Sequence, residues 1–132
     1  MVYATDVETT ARFWERLGFT RHVELKPDGQ PGYVGLRRDD AELAVTAREW
    51  AQDRYGLALS DGPRFEMFVY TEDVDTLIAA LRAEGVPVLA DPADMAWGER
   101  IATIADPDGN PVALANQDRV ITTDRAGTSR SA

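Results

Sequence analysis

The chain has 132 residues, a formal net charge of -9, no cysteine and a single histidine. Its length fits one domain or one pair of small repeated units, and 44% hydrophobic with 28% charged residues is typical of an ordinary globular protein. The lack of cysteine excludes disulfides, thiolate zinc sites and a cysteine nucleophile, and one histidine excludes any site that needs two imidazoles from one chain.

The first part of the chain predicts a strand, a helix and three further strands. Asp6 stands where an N-cap is expected for a helix over 7–17, in which apolar side chains recur at helical spacing. Gly18 follows, at the position where a helix commonly ends in a left-handed residue. Strand-like stretches, separated by turn-forming residues, surround this helix at 2–5, 19–25, 32–38 and 41–47.

The second part of the chain predicts the same order of elements. Asp73 is placed to cap a helix over 74–84, and Gly85 is placed to end it. The sequence DPDGN at 106–110 predicts a hairpin turn in which Gly109 and Asn110 take positive φ angles. The predicted strands are 65–71, 86–90, 100–105 and 111–115.

The two parts match at a constant offset of 67 positions, which indicates a duplicated βαβββ unit. The offset relates four pairs of residues: Asp6 and Asp73, Val7 and Val74, Thr9 and Thr76, Gly18 and Gly85. The predicted organisation is a first βαβββ unit over 1–47, a linker over 48–64, a second unit over 65–116 and a flexible C-terminal tail over 117–132.

Two sequence motifs, DVETTARFWERLGF near the start and WGERIATIADPDGNPVALA near the end, resemble the vicinal oxygen chelate superfamily. That superfamily includes glyoxalase I, extradiol dioxygenases and the bleomycin-resistance proteins. The resemblance covers about residues 2–116 and is closest to the bleomycin-resistance-like binding branch. It implies an α+β fold in which two tandem βαβββ units form curved, mixed half-barrel sheets around a cup, and it implies a homodimer.

The resemblance also indicates where a metal ion would be held. The ligand positions of the second unit fall on Glu66 and Ala113. Through the offset, Thr46 is the first-unit counterpart of Ala113, unless an insertion brings Glu42 into register, and the counterpart of Glu66 falls before Met1. One carboxylate and one hydroxyl are too few for a divalent transition metal, which takes three or four donors. We therefore expect neither a metal nor another cofactor.

A pocket lined by aromatic rings is expected in place of the metal. Alternation along the strand puts Glu66, Phe68 and Tyr70 on one face, and the resemblance turns that face into the cup. The small side chain of Ala113 widens the space on the last strand. Glu66 is expected to be a buried carboxylate of this pocket.

Four further residues are expected to complete the ligand site. Trp97 and Arg100 form a WG-x-R arrangement, which is similar to that of the bleomycin-resistance proteins and is placed at the rim. Trp50, on the predicted linker, would cover the mouth, and Tyr33 would add a ring from the first unit. Aromatic rings with one carboxylate suit a flat, partly cationic molecule.

The function that the resemblance implies is the sequestration of an aromatic or cationic natural product or antibiotic, without catalytic residues. Two alternatives stay open: a metal-dependent lyase, isomerase or dioxygenase of the same superfamily, and a metal-free enzyme with Glu66 as general base. The acidic balance argues against nucleic-acid binding. With neither a membrane-spanning run nor a signal peptide in the sequence, we expect a cytoplasmic protein.

Overall fold

The computed structural model describes residues 1–27, 29 and 32–116, so the predicted flexible tail at 117–132 lies outside the described residues. The chain divides into two compact units, of which the first spans Met1–Gly62 and the second begins at Pro63. Each unit contains a four-stranded mixed sheet with a helix packed against it. The predicted α+β fold with two βαβββ units is therefore confirmed.

The first unit follows the predicted order of elements and adds a second helix. Its strands are ordered β1-β4-β3-β2 in the sheet, with β1 parallel to β4 and the other pairs antiparallel. The carboxylate of Asp6 accepts a hydrogen bond from the Thr9 backbone N–H at 3.0 Å, which confirms the predicted N-cap of the first helix. The elements are β1 (Val2–Ala4), α1 (Val7–Arg16), β2 (Thr20–Leu25), β3 (Tyr33–Arg38), β4 (Ala41–Ala47) and α2 (Arg48–Tyr55).

The helix α2 occupies half of the segment that was predicted to be a linker. It contacts β1 and β4 of the first unit, and its one buried side chain is Ala51. It ends at Gly56, whose φ of 70° is left-handed. Sequence periodicity did not reveal this helix because it has no apolar stripe, which is the signal that such an analysis detects.

The second unit repeats the arrangement with the strand order β5-β8-β7-β6, in which β5 is parallel to β8. Asp73 caps its helix by accepting a hydrogen bond from the Thr76 backbone N–H at 3.1 Å, and Gly85 follows with a φ of 86°. Both predictions are confirmed. The elements are β5 (Met67–Thr71), α3 (Val74–Ala83), β6 (Val88–Asp94), β7 (Arg100–Ala105) and β8 (Pro111–Asn116).

Strand β6 continues four residues beyond its predicted end at residue 90 and includes Pro92. Because β6 is an edge strand, a proline that lacks an N–H donor is tolerated there, and the pairing shifts register between Ala90 and Ala93. The ladder continues to Met95, whose N–H donates to the carbonyl of Glu99 at 2.7 Å. The β6–β7 hairpin therefore closes over 95–99.

The two faces of the second sheet have different neighbours. Asn116 and Arg100 both bond to α3, through the Val74 N–H and the carboxylate of Asp75 respectively, and they define the face that packs on the helix. The other face carries Phe68 and Tyr70 of β5, Ile101 of β7, and Ala113 and Ala115 of β8. We call this second surface the helix-free face.

The DPDGN turn forms as a hairpin, but one part of its prediction is wrong. Gly109 has a φ of 83°, whereas Asn110 does not take a positive φ. Asn110 is fully buried: its amide donates to Asp106 Oδ2 at 3.0 Å, and its Oδ1 accepts from the Arg64 N–H at 2.8 Å. Tertiary hydrogen bonds, which a local motif does not report, determine the conformation of this asparagine.

Candidate functional site: the helix-free face of the second unit

Three of the predicted site residues lie together on the helix-free face. Phe68 pairs with Ala113 across β5 and β8, and Tyr70 pairs with Ala115 in the same register. The Phe68 ring is 50% exposed, and its centroid lies 6.3 Å from that of Tyr70. Ala113 and Ala115 are buried and form a small floor with Ile101, against which Tyr70 packs. The alternation predicted for β5 is therefore confirmed at Phe68 and Tyr70.

The carboxylate of this site is Glu99, which the sequence analysis missed. Glu99 is only 4% exposed. Its Oε1 accepts a hydrogen bond from the Trp97 indole Nε1 at 2.6 Å. Its Oε2 is buried and has no hydrogen-bond partner among the described residues. Since buried polar atoms are nearly always paired, an oxygen of this kind marks a place where a ligand or water is expected.

Glu99 and Tyr70 are electrostatic neighbours on the helix-free face. Burial raises the pKa of the Tyr70 phenol, and the negative charge of Glu99 raises it further. Tyr70 therefore stays protonated and neutral through the physiological range. Glu99 stands two residues before Ile101, and the alternation of β7 puts both on the same side of the sheet. A signal for Glu99 was thus present in the sequence, because the alternation of β7, followed back two residues from Ile101, reaches Glu99.

Trp97 lies at the tip of the β6–β7 hairpin, beside the carboxylate. Its ring is 60% exposed, while its N–H is held by Glu99. Gly98 permits the tight turn with a φ of 105°, a conformation that other residues rarely adopt. Trp97, which was predicted to lie at the rim of the site, therefore donates a hydrogen bond directly to the buried carboxylate of Glu99.

Arg100 is placed on the opposite face of the sheet from the rings. Its guanidinium binds the Asp75 carboxylate of α3 with two hydrogen bonds, of 2.7 and 3.0 Å, and it reaches Asp94 at 3.0 Å. The hydrogen bond from Arg100 lowers the pKa of Asp75. Successive strand residues point to opposite sides, so Arg100 joins the sheet to the helix while Glu99 faces the rings. The Arg100 side chain therefore lies on the other side of the sheet from the rings, and not beside them as expected.

The remaining predicted site residues lie elsewhere. Glu66 precedes β5 and is exposed, so the expectation of a buried carboxylate at this position is wrong. Tyr33 begins β3 of the first unit, where it pairs with Thr46. Trp50 lies on α2 and packs edge-on against Tyr55 at 5.7 Å between ring centroids. Tyr33 and Trp50 thus belong to the first unit, and Glu66 lies at the surface of the second.

The strand register corrects the expected metal-ligand positions. Val69 pairs with Leu114 in the second unit, whereas Val2, which corresponds to Val69 by the offset of 67, pairs with Val45 in the first. Because the helix caps fix the offset between β1 and β5, the first-unit counterpart of Ala113 is Ala44 and not Thr46. The hydroxyl of Thr46 is in any case used, since it donates to the Gly32 carbonyl at 2.9 Å.

The residues at these positions do not fit a divalent metal ion. Ala44 and Ala113 end in methyl groups, and Glu42, the alternative donor, pairs with Arg37 two positions away from Ala44 along β4. Within 1–27, 29 and 32–116, no group of three or more His, Asp or Glu side chains is arranged to hold a metal. Coordination of a transition metal requires three or four such donors in one geometry.

The fold and the site define a glyoxalase-like protein that carries alanines at two of the positions where the resemblance predicted metal ligands. The model of the Glyoxalase/Bleomycin resistance protein/Dioxygenase superfamily matches residues 1–114, and the chain belongs to this superfamily. No curated protein matches the chain at a significant level. None of the described helices has the length and apolar character that crossing a membrane requires.

Solved structures of the superfamily have the same fold as this chain. A glyoxalase-related enzyme from Fulvimarina pelagi is 21% identical, with a TM-score of 0.75 over 98% of this chain and 92% of that one. A family enzyme from Burkholderia phytofirmans is 18% identical, with a TM-score of 0.72 over 87% and 93%. A superfamily member from Sphaerobacter thermophilus is 25% identical, with a TM-score of 0.65 over 88% and 92%.

Proposed function

We propose that the chain is a metal-free small-molecule binding protein that sequesters an aromatic or cationic natural product, such as an antibiotic, on the helix-free face of its second unit. The observation that carries this proposal is the half-exposed Phe68 ring beside Tyr70, on the same face of the sheet as the buried Ala113 and Ala115. An exposed ring beside a floor of small side chains offers an apolar surface to another ring. Membership of a superfamily that includes resistance proteins supports binding as the role.

The choice of binding over metal catalysis rests on donor chemistry. The family resemblance predicts a metal ligand at Ala113, and the strand register makes Ala44 its counterpart in the first unit; neither methyl group can coordinate a metal. Without such donors a Lewis-acid mechanism has no centre.

A thermal-shift screen of the purified chain tests this function. The panel contains planar aromatic antibiotics and, in separate wells, divalent metal ions after treatment with a chelator. We expect the melting temperature to rise with the concentration of at least one aromatic compound, because a ligand that binds only the folded state stabilises it. Stabilisation by a metal ion and by no aromatic compound would contradict the proposal.

A pair of variants assigns the binding to the helix-free face. Phe68→Ala removes the exposed ring and should weaken the binding of the aromatic hit by at least about fivefold, since a ring contact contributes about 1 kcal/mol or more to binding. Leu57→Ala is the matched control, because Leu57 is an exposed apolar residue of the first unit. The control should bind like the wild type.

A homodimer is a further part of the proposal. Exposed apolar side chains on one edge strand of each sheet support it, namely Val23 and Leu25 on β2 and Leu89 on β6. Light scattering at two protein concentrations measures the mass directly. A monomeric mass at the higher concentration would remove the dimer and leave the binding function untouched.

One observation favours a second candidate, a metal-free enzyme with a carboxylate base. The base would be Glu99 and not Glu66, because Glu99 is buried with one unpartnered oxygen and Glu66 is exposed. Mass spectrometry of each stabilising compound after prolonged incubation with the chain distinguishes the two candidates. Unchanged compounds favour sequestration, and conversion that is lost in Glu99→Gln favours the enzyme.

A further inference from the structure

We propose that the second carboxylate oxygen of Glu99 binds a protonated nitrogen of the ligand, so that the site selects an aromatic molecule with a protonated amine or amidine beside its ring. This inference rests on the proposed function and specifies its ligand class. Its starting point is Glu99 Oε2, which is buried and without a partner in the described part of the chain. No residue motif marked this oxygen in advance.

The Trp97 indole fixes the direction of the second oxygen. With Oε1 held at 2.6 Å by the indole N–H, the carboxylate cannot rotate without breaking a short hydrogen bond, and Oε2 keeps one orientation. A preoriented acceptor binds a donor at a lower entropic cost than a mobile one does. A protonated nitrogen is the matching donor, because charge-assisted hydrogen bonds to a carboxylate are stronger than neutral ones.

The charge of Glu99 is not balanced by a basic side chain of the second sheet. Arg100, its neighbour in sequence, lies on the other face and is bound by Asp75 and Asp94. No lysine or arginine within the described ranges forms an ion pair with Glu99. A buried carboxylate without a counter-ion favours a cationic ligand and disfavours an anionic one.

The rings next to the carboxylate favour the same ligand. Trp97 presents an exposed indole on one side, and the neutral phenol ring of Tyr70 packs on the floor of the helix-free face. A cation held over an aromatic face gains from the ring quadrupole. Phe68, further along β5, supplies the surface for the ligand's own ring. One molecule that carries both a ring and a cationic nitrogen satisfies all these groups.

Two probes of matched shape test the inference: 2-naphthylmethylammonium, which is a cation, and 2-naphthylmethanol, which is neutral. Each is titrated into the ¹⁵N-labelled chain, and the indole N–H resonance of Trp97 reports binding beside Glu99. The chain has three tryptophans, so Trp97→Phe assigns the resonance by its disappearance. We expect the cation to bind at least about tenfold more tightly than the alcohol.

Two variants locate the origin of the selectivity. Glu99→Gln keeps an oxygen for the indole and replaces the charge, so the two probes should bind within about twofold of each other. Glu66→Gln removes an exposed carboxylate of the same unit and should keep the wild-type preference. The comparison of the two probes on the wild-type chain needs no variant, so the inference is tested even if Glu99→Gln does not fold.

The outcomes separate this inference from the proposed function. Equal binding of both probes to the wild type overturns the cation selectivity and leaves ring binding standing. Selectivity that persists in folded Glu99→Gln overturns the role of Glu99. Binding of neither probe, together with no aromatic hit in the thermal screen, overturns the proposed function and this inference with it.

Discussion

The indole N–H of Trp97 donates to the Glu99 carboxylate at 2.6 Å, which ties a ring that is 60% exposed to an acid that is 4% exposed. The two residues are separated only by Gly98, at the closed end of the β6–β7 hairpin. Charge-assisted hydrogen bonds are stronger than neutral ones, so this contact orders both the hairpin tip and the carboxylate. The geometry of the candidate site depends on it.

A double-mutant cycle measures this contact. Trp97→Phe should destabilise the wild type by about 1–2 kcal/mol, because the buried carboxylate loses its donor. In a Glu99→Leu background the same change should cost less than about 0.5 kcal/mol. Urea unfolding followed by circular dichroism gives the four free energies. Trp50→Phe is the control and should cost the same in both backgrounds; equal costs for Trp97→Phe would show that the contact contributes nothing.

Asn110 is expected to be a main determinant of stability in the second unit. Asn110→Ala removes the acceptor of the Arg64 N–H and a donor to buried Asp106, and it should lower the free energy of unfolding by about 2–3 kcal/mol. Chemical denaturation measures the loss. Asp108→Ala is a comparison at a half-buried position of the same turn and should have a smaller effect. A loss below that of Asp108→Ala would contradict the role of Asn110.

Arg100 should affect stability and not ligand binding. Arg100→Gln removes the bonds to Asp75 and Asp94 that join β6 and β7 to α3, so the melting temperature should fall while the affinity for 2-naphthylmethylammonium stays within about twofold. The pKa of Asp75 is lowered from 3.8, so the stability difference from wild type is present above that pH and is lost as the pH falls further. A large loss of affinity in a folded variant would return Arg100 to the site.

A second pH dependence is expected in the first unit. Arg21 binds the two oxygens of Glu8 at 2.9 and 2.8 Å, and these hydrogen bonds lower the pKa of Glu8 below 4.5. Glu8→Gln should cost about 1 kcal/mol at neutral pH, because it weakens a charge-assisted pair between α1 and β2. Because the folded pKa is lowered, the cost should shrink as the pH falls below 4.5. Thermal melts of both proteins across this range measure the difference, and a cost independent of pH would contradict it.

Introducing a carboxylate at Ala113, where the family resemblance predicted a metal ligand, should not create a metal site. Ala113→Glu places a charge among Ile101, Ala115 and Tyr70 and should destabilise the fold by about 2–4 kcal/mol. Its melting temperature, measured with and without nickel, zinc or manganese, should not depend on the ion, because no group of further donors in the described part of the chain is arranged to hold a metal. Ala113→Gln is the uncharged control. A metal-dependent rise in Ala113→Glu alone would show that further donors are present.

Local signals predicted most of the fold. The Asp6 and Asp73 caps act within three residues of their own helices, and the alternation of β5 acts within one strand. Such interactions are determined by neighbouring residues, so they can be derived from spacing alone. The helix α2 escaped the same approach because it buries only Ala51 and is stabilised by contacts with β1 and β4.

The candidate site was predicted in part, and the errors have one origin. Phe68, Tyr70 and Ala113 follow from alternation within strands, and the structure brings them together. Glu66 and Arg100 were assigned from family spacing. Such spacing does not determine the residue at which a strand begins, and it does not determine which face of the sheet the helix covers. The spacing from β5 to its partner β8 is two residues longer than that from β1 to β4, so the constant offset of 67 led to Thr46 where the register gives Ala44.

The amino-acid sequence determined by itself the two βαβββ units, their helix caps, the ring-bearing alternation of β5 and the alanine where a metal ligand is expected. Only the tertiary structure decided that Glu99 is the buried carboxylate, that the Arg100 side chain binds helix α3, and that one oxygen of Glu99 lacks a partner among the described residues. The physical reason is range: caps and alternation depend on adjacent residues, whereas burial and hydrogen-bond satisfaction depend on segments that meet only after the sheet has formed.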